Sequence, residues 1–146
     1  MPGELERLLR KAGRDLPNYQ VARFWKIPEE MNQTPCDFMG FTSTGRVILI
    51  EAKQVRRVSL PLCKSPGVLP HQFGALDECN RAGGIALLCW AVGDVCAVLS
   101  WDMVLAFSVG RRSVPWHKIE GRFRRSLLGP RAHLELLDHW LPISPP

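Results

Sequence analysis

The chain has 146 residues, of which 46% are hydrophobic and 23% charged, a balance that excludes a disordered or fibrous chain and predicts one globular domain over residues 1–146. The net charge of +5 favours a polyanionic partner, although a basic solvated surface would give the same charge. The five cysteines form no CxxC pair and indicate neither a zinc site nor a disulfide framework. The N-terminus is charged and lacks the apolar core of a signal peptide, so we expect a reduced, cytoplasmic protein.

The first half of the chain predicts a helix followed by strands. Residues 4–11 have apolar positions at helical spacing, and Gly13 is a plausible end of that helix. Residues 21–27 are rich in aromatic and β-branched side chains, as in a strand, and residues 28–35 read as a loop. Residues 36–41 and 46–53 then predict two strands joined by the turn residues 42–45.

The second half predicts a helix between strands. An irregular segment, 56–69, precedes a helix over 71–81 that begins after Pro70 and ends at Gly83-Gly84. The apolar run 85–109 is broken by Gly93-Asp94, so we interpret it as strands 85–92 and 95–101 and a short helix 102–107, not as a membrane span. A basic segment (111–131), a helix (132–140) and a proline-rich tail (141–146) follow. This order predicts an α/β domain with a mixed sheet flanked by helices.

The predicted hairpin places two carboxylates side by side. If the turn is centred on Thr44, residues whose numbers sum to 88 face each other, so Asp37 faces Glu51. Residues at alternate positions share a face of the sheet, which adds Lys53 beside Glu51. A register slip of one residue would remove Asp37 from that face.

A divalent cation explains why two carboxylates would lie so close. Mg²⁺ prefers oxygen ligands and retains several waters, and Lys53 could contact a phosphate or orient an attacking water. The alternative is an ordinary exposed strand face, but the preceding residues 47–50 are continuously apolar, as in a strand buried on both faces. The constellation therefore predicts a metal-dependent DNA endonuclease.

The string Asp37…Glu51-Ala52-Lys53 resembles the core motif of the PD-(D/E)xK nucleases, which have a restriction-endonuclease-like fold. EAKQVRRVSLPL followed by PHQFGALDECNRAGGIALL is similar to the same region of RecU-type Holliday junction resolvases. The similarity covers residues 34–101. It implies Mg²⁺, for which Mn²⁺ could substitute, four-way DNA junctions as substrate, paired symmetric nicks, and a bacterial or phage-infected bacterial cell as the setting.

The resemblance also implies roles for individual residues. Asp37 and Glu51 would bind the metal, Lys53 would stabilise the transition state, and Gln72 would lie at the metal or its water shell. Related archaeal-type resolvases add a glutamate from an N-terminal helix, for which Glu6 fits best and Glu4 is the alternative. The RecU pattern has threonine two residues before the aspartate, whereas this chain has Pro35 there and Thr34 one residue further away.

Basic residues are the candidates for DNA contacts, because Lys and Arg supply sequence-independent affinity for phosphates. We predict two groups: Arg56, Arg57 and Lys64; and Arg111, Arg112, Arg122, Arg124 and Arg125. Trp116 and Phe123 could stack on a base or pack in the core. Two symmetric cuts require two active sites, so a homodimer is expected. Another repair or restriction-like nuclease, and a DNA-binding module without catalysis, are the alternative functions.

Overall fold

A computed structural model describes residues 3–28 and 34–143 of the chain. Its main feature, within those ranges, is a six-stranded sheet in the order β1-β2-β3-β5-β6-β8, beside a small sheet of β4 and β7. The strands are β1 Ala22–Lys26, β2 Phe38–Thr42, β3 Val47–Gln54, β4 Ser59–Pro61, β5 Ile85–Val92, β6 Val95–Ser100, β7 Ser113–Pro115 and β8 Arg124–Ser126. The α-helices are α1 Glu4–Asp15, α2 Pro70–Arg81, α3 Trp101–Phe107 and α4 Ala132–Glu135.

The strand pairings confirm the predicted mixed sheet. In the β2–β3 hairpin, Phe38 faces Ile50 and Phe41 faces Val47, which is the predicted register. β3 and β5 are parallel, because α2 carries the chain back between them, and the other neighbours are antiparallel. The α/β fold with a mixed sheet flanked by helices is therefore as the sequence predicted.

Alternation along β3 separates the two layers of the core. Ile48 and Ile50 pack with α1 and the C-terminal segment on one face of the sheet. Leu49 points to the other face, where it packs with Leu76 of α2 and Trp101 of α3. Glu51 lies on the Leu49 face, two residues closer to the C-terminal end of β3, and this places it beside the beginning of α2.

Two predicted helix ends are wrong. α1 continues through Gly13 to Asp15. The glycine serves close packing instead of ending the helix, since a Cβ there would lie 2.3 Å from the carbonyl oxygen of Phe24. The predicted final helix 132–140 is regular only over Ala132–Glu135. After it, the chain continues in turns that bury Leu136, Leu137 and Leu141 against the α1 face.

Three short strands were not predicted. β4 lies in the segment expected to be irregular and pairs with β7, while β8 adds to the edge of the main sheet beside β6. The basic segment is thus built into the domain. Among the described residues, no helix combines the length and apolar character that crossing a bilayer requires, and the run 85–109 forms β5, β6 and α3 as predicted.

Candidate active site

The end of the β2–β3 hairpin brings together the two predicted carboxylates. Asp37 directly precedes β2, and its Oδ2 accepts a hydrogen bond of 2.8 Å from the backbone N–H of Ala52. Glu51 is on β3 and is only 1% exposed. The backbone of one strand therefore fixes the carboxylate that precedes the other, and both acids lie at the same end of the sheet.

Lys53 connects the hairpin to α2. Its Nζ lies 2.9 Å from Glu51 Oε2 and donates a 3.0 Å hydrogen bond to Gln72 Oε1. The same Gln72 oxygen accepts from the backbone N–H of Leu69, 3.0 Å away, which satisfies a donor at the start of the helix. An ammonium has three N–H donors, so Lys53 keeps one for a further acceptor.

Burial and charge make Glu51 an unusual carboxyl. Its pKa is raised to about 8, first by burial and then by the charge of Asp37, with Lys53 acting in the opposite direction. Its Oε1 has no hydrogen-bond partner among the described residues. A buried carboxylate oxygen without a donor is costly, so this atom is suited to a positively charged ligand.

The neighbouring Cys36 does not add a thiolate to the site. It is buried, its Sγ donates to the carbonyl of Phe38 at 2.9 Å, and its pKa is raised to about 12 by burial and then by the charge of Glu51. A neutral thiol is a poor metal ligand. The oxygen atoms of Asp37 and Glu51 are accordingly the donor set that the site offers.

Lys26 is a site residue that the sequence pattern did not identify. It ends β1, opposite Phe38, and its Nζ lies 3.7 Å from both Asp37 Oδ1 and Glu6 Oε1. Glu6 of α1 thus reaches Asp37 through Lys26. The sequence did contain a signal for Lys26. It is the last residue of β1, a strand with an apolar face, and β1 pairs with β2, which begins directly after Asp37.

The structure brings Asp37, Glu51, Lys53 and Gln72 together and places Glu6 one ion pair away. Glu4, the alternative to Glu6, pairs with Arg7 at 2.9 Å. Within residues 3–28 and 34–143, no group of three or more His, Cys, Asp or Glu side chains is arranged to hold a metal. From the described part of the chain, a cation at this position would therefore have Asp37 and Glu51 as its acidic ligands.

The fold that carries this site is shared with a solved structure. No protein-family model and no curated protein sequence matches the chain. A structure described as Hjc, a Holliday junction resolvase from the archaeal hyperthermophile Archaeoglobus fulgidus, matches with a TM-score of 0.53 and 14% sequence identity, over 77% of this chain and 88% of that one. The chain has the Hjc fold. At this identity, the likeness concerns the fold.

Part of the predicted DNA-binding set lines a cleft beside α2. Lys64, Arg111 and Arg112 come together around a cleft of about 720 Å³, which Phe73, the residue after Gln72, also lines. Arg56 and Arg57 are exposed after the end of β3, and the Arg56 guanidinium lies beside Gly93 in the β5–β6 turn. These five side chains are exposed. None of them has an ion pair with another described residue.

The other predicted DNA contacts are engaged within the chain. Arg124 donates to the carbonyl of Trp116 at 2.8 Å and lies 4.7 Å over its ring. Arg125 pairs with Asp138 at 2.7 Å, and Arg122 pairs with Glu120 at 2.9 Å. Phe123 is buried, and Trp116 packs edge-on against Trp90, so both aromatic side chains have the packing contacts that were the alternative to base stacking.

Proposed function

We propose that the chain is a Mg²⁺-dependent endonuclease that cleaves four-way DNA junctions by paired symmetric nicks. The observation that carries the proposal is the buried Glu51 carboxylate, held between Asp37 and Lys53 with its Oε1 unpartnered among the described residues. Two further observations support it: the RecU-like string around these residues, and the fold shared with a protein described as a Holliday junction resolvase.

The residues present fit a hard divalent cation. Asp37 and Glu51 offer carboxylate oxygens, and a cation would offset both causes that raise the Glu51 pKa, first burial and then the charge of Asp37. Mg²⁺ commonly binds one or two carboxylates and completes its shell with water and substrate phosphate oxygens, which suits a site with two acids; Mn²⁺ accepts the same ligands. When bound, such a cation polarises a phosphoryl oxygen and lowers the pKa of water.

The protein groups would then orient the reacting phosphate. Asp37 keeps its position through Ala52 N–H and Lys26. Lys53 presents its remaining N–H to a phosphate oxygen, where an ammonium stabilises the charge that develops during hydrolysis. Gln72 fixes Lys53, so we assign it a positioning role, and Glu6 acts on Asp37 through Lys26.

The proposed substrate requires a broad basic surface and two active sites. Arg56, Arg57, Lys64, Arg111 and Arg112 would hold phosphates beside the site, and a homodimer would supply the second site related by a twofold axis. Sedimentation of the protein with and without a junction measures its oligomeric state. Twice the mass of one chain is expected, and a monomer bound to the junction would contradict the proposed pair of nicks.

The central experiment compares DNA forms with and without Mg²⁺. Wild-type protein should make paired nicks in a synthetic four-way junction, and it should do so only with the cation. Glu51→Gln should abolish cleavage while retaining binding, because it removes a metal ligand without changing the size of the side chain. Glu120→Gln removes an exposed glutamate and is the matched control.

The outcomes separate the proposal from its alternatives. Equal cleavage of linear duplex would point to a general repair nuclease on the same fold, and cleavage at one sequence in plasmid DNA would point to a restriction-like enzyme. Junction binding by the wild type without cleavage under any divalent cation would leave a DNA-binding module. Full activity of Glu51→Gln would overturn the site.

A further inference from the structure

The cleft lined by Lys64, Arg111 and Arg112 is called here the Lys64 cleft. A second basic surface lies on the opposite face of the sheet. α1 presents Arg7, Arg10, Lys11 and Arg14 to solvent, while its Leu5 and Leu9 are buried. Residues three, four and seven apart fall on one side of a helix. Together with Glu4, Leu8, the 127–130 segment and His133, these basic side chains line a groove of about 450 Å³, which we call the α1 groove.

The α1 groove keeps positive charge that the chain does not neutralise. Arg7 pairs with Glu4 at 2.9 Å and Arg10 with Glu6 at 3.4 Å. Lys11 and Arg14, in the second half of the helix, have no ion pair with any residue in the described part of the chain. An exposed basic helix face alone would be unremarkable for a solvated surface. Here residues 127–130 line the other side, so that the basic face of α1 forms one side of a concave groove.

The α1 groove starts at the proposed active site. The backbone N–H of Leu5 contacts Gln54 Oε1 at the end of β3, and Glu6 is linked to Asp37 through Lys26. From there the 12 residues of α1 extend away over about 18 Å. The site thus lies between two basic surfaces on opposite faces of the sheet: the α1 groove and the cleft of Lys64, Arg111 and Arg112.

We propose that the α1 groove binds the phosphate backbone of a second duplex arm while the Lys64 cleft holds the first. This inference rests on the proposed junction substrate and specifies how the substrate is recognised. A four-way junction offers two arms that diverge from one point, so it can occupy both surfaces at once. A linear duplex passing the site can follow only one of them. Simultaneous occupancy then gives the junction its extra affinity.

The test is a binding measurement that needs no catalysis. Lys11→Gln/Arg14→Gln neutralises the free charges of the groove at exposed positions, and neither residue belongs to the active site. Arg46→Gln/Arg81→Gln removes the same charge at exposed positions at the opposite end of β3 and is the matched control. Dissociation constants are measured in EDTA for a four-way junction and a linear duplex between about 50 and 200 mM salt, where phosphate contacts are read from the salt slope.

The groove variant should lose junction affinity selectively. For each protomer whose α1 groove holds an arm, two lost phosphate contacts lower the slope of log K against log salt by about 2 and weaken junction binding on the order of fiftyfold at about 0.1 M salt. Duplex binding should weaken only about twofold, because the cleft remains available as an alternative site. The control variant should retain the wild-type salt slope and the wild-type preference for the junction, and thermal melting should show that both variants fold.

Two results would overturn the role of the α1 groove, and a third would overturn the proposed junction substrate. If the groove variant keeps the junction preference and salt slope of the control, the α1 groove does not bind DNA. If junction and duplex lose affinity equally, the groove binds backbone but not a second arm, and the inference is overturned. A wild type that binds both DNAs equally would instead overturn the proposed junction substrate together with its second-arm contact.

Discussion

At the scale of single residues, one buried carboxyl dominates the site. Glu51 combines near-complete burial with a charged neighbour on each side, Asp37 and Lys53. Burial and Asp37 favour the protonated form, and Lys53 only partly offsets them. Burying such a group lowers the free energy of unfolding. A cation bound at the same place would raise it again, because a ligand that binds only the folded state stabilises that state.

The raised Glu51 pKa predicts a pH-dependent stability of the metal-free protein. In the folded chain the pKa of Glu51 is about 8, whereas the ordinary pKa of a glutamate, which applies to the unfolded chain, is 4.5. The folded state therefore binds more protons, and the contribution of Glu51 to the free energy of unfolding is full below pH 4.5 and is lost as the pH rises towards 8. Glu51→Gln stays neutral and should stabilise the protein by a few kcal/mol at about pH 8.

Thermal melting in EDTA at about pH 5 and about pH 8 measures this difference. Glu51→Gln should raise Tm relative to wild type at the higher pH and much less at the lower one. Glu120→Gln, at a 64% exposed side chain, should show no such pH dependence. An equal Tm difference at both pH values would contradict the burial argument.

Gln72 gives a second prediction at this scale. Gln72→Ala removes the acceptor that fixes Lys53 and the start of α2, and a misplaced catalytic group typically costs roughly tenfold to a hundredfold in rate. The single-turnover rate at saturating junction should fall while the dissociation constant stays unchanged, and Gln72→Glu should recover part of the rate because it still accepts from Lys53. Glu78→Ala, exposed on the same helix, is the control; a rate loss there as large would indicate a general effect on α2.

At the scale of elements, two helical glycines have opposite roles that the sequence does not reveal. Gly13 lies in α1 against β1, where a Cβ would meet the Phe24 carbonyl oxygen at 2.3 Å. Gly74 lies in α2 with open space around the position of its Cβ. In sequence, Gly13 was interpreted as a helix end and Gly74 lies inside the predicted helix 71–81. Only the packing partner decides which one the fold requires.

The two glycines therefore make a matched pair. Gly13→Ala should destabilise the protein by roughly 1–3 kcal/mol, because α1 must move away from β1. Gly74→Ala should stabilise it by roughly 0.5–1 kcal/mol, because alanine favours a helix interior without meeting any neighbour. Urea unfolding of both variants measures the two changes. The same sign for both would contradict the close α1–β1 contact.

The short strands show the limit of local pattern at this scale. β4, β7 and β8 have three residues each, too few for alternation to identify a strand. They exist because partners distant in sequence satisfy their backbones: β4 with β7, and β8 with the edge of β6. The basic segment, which composition alone presents as a DNA-binding tail, is held in place by these pairings.

At the scale of the whole molecule, the basic residues separate into two classes. Arg111→Gln/Arg112→Gln should weaken DNA binding and lower the salt slope by about 2 for each protomer that contacts DNA, without changing Tm, because both side chains line the open cleft. Arg125→Gln should lower the stability by about 1–2 kcal/mol and leave the salt slope unchanged, because Arg125 pairs with Asp138 at 2.7 Å and donates to two carbonyl oxygens. Salt-dependent binding and thermal melting of both variants test the distinction, and a reversed pattern would contradict it.

Much of the fold and the centre of the site could be predicted from the sequence because both depend on local pattern. Alternation and turn residues suggested a β2–β3 turn centred on Thr44, which would pair Asp37 with Glu51, and the structure has that register. The helix before the apolar run 85–92 allowed the chain to return for a strand parallel to β3, and the structure has that pairing. Lys53 followed from the two-residue period of the strand.

Only the tertiary structure decided what depends on partners far apart in the chain. Lys26 joins the site because β1 lies beside β2, and Gln72 holds Lys53 because α2 begins above the end of β3. Arg124 and Arg125 are bound internally, whereas Arg14 and Arg111 are open to solvent, although all four are equally basic in sequence. Through short-range periodicity, the sequence by itself indicated that Asp37, Glu51 and Lys53 lie together at the end of a hairpin. The packing of the layers determined the partners of these residues, because contacts between distant segments leave no local pattern.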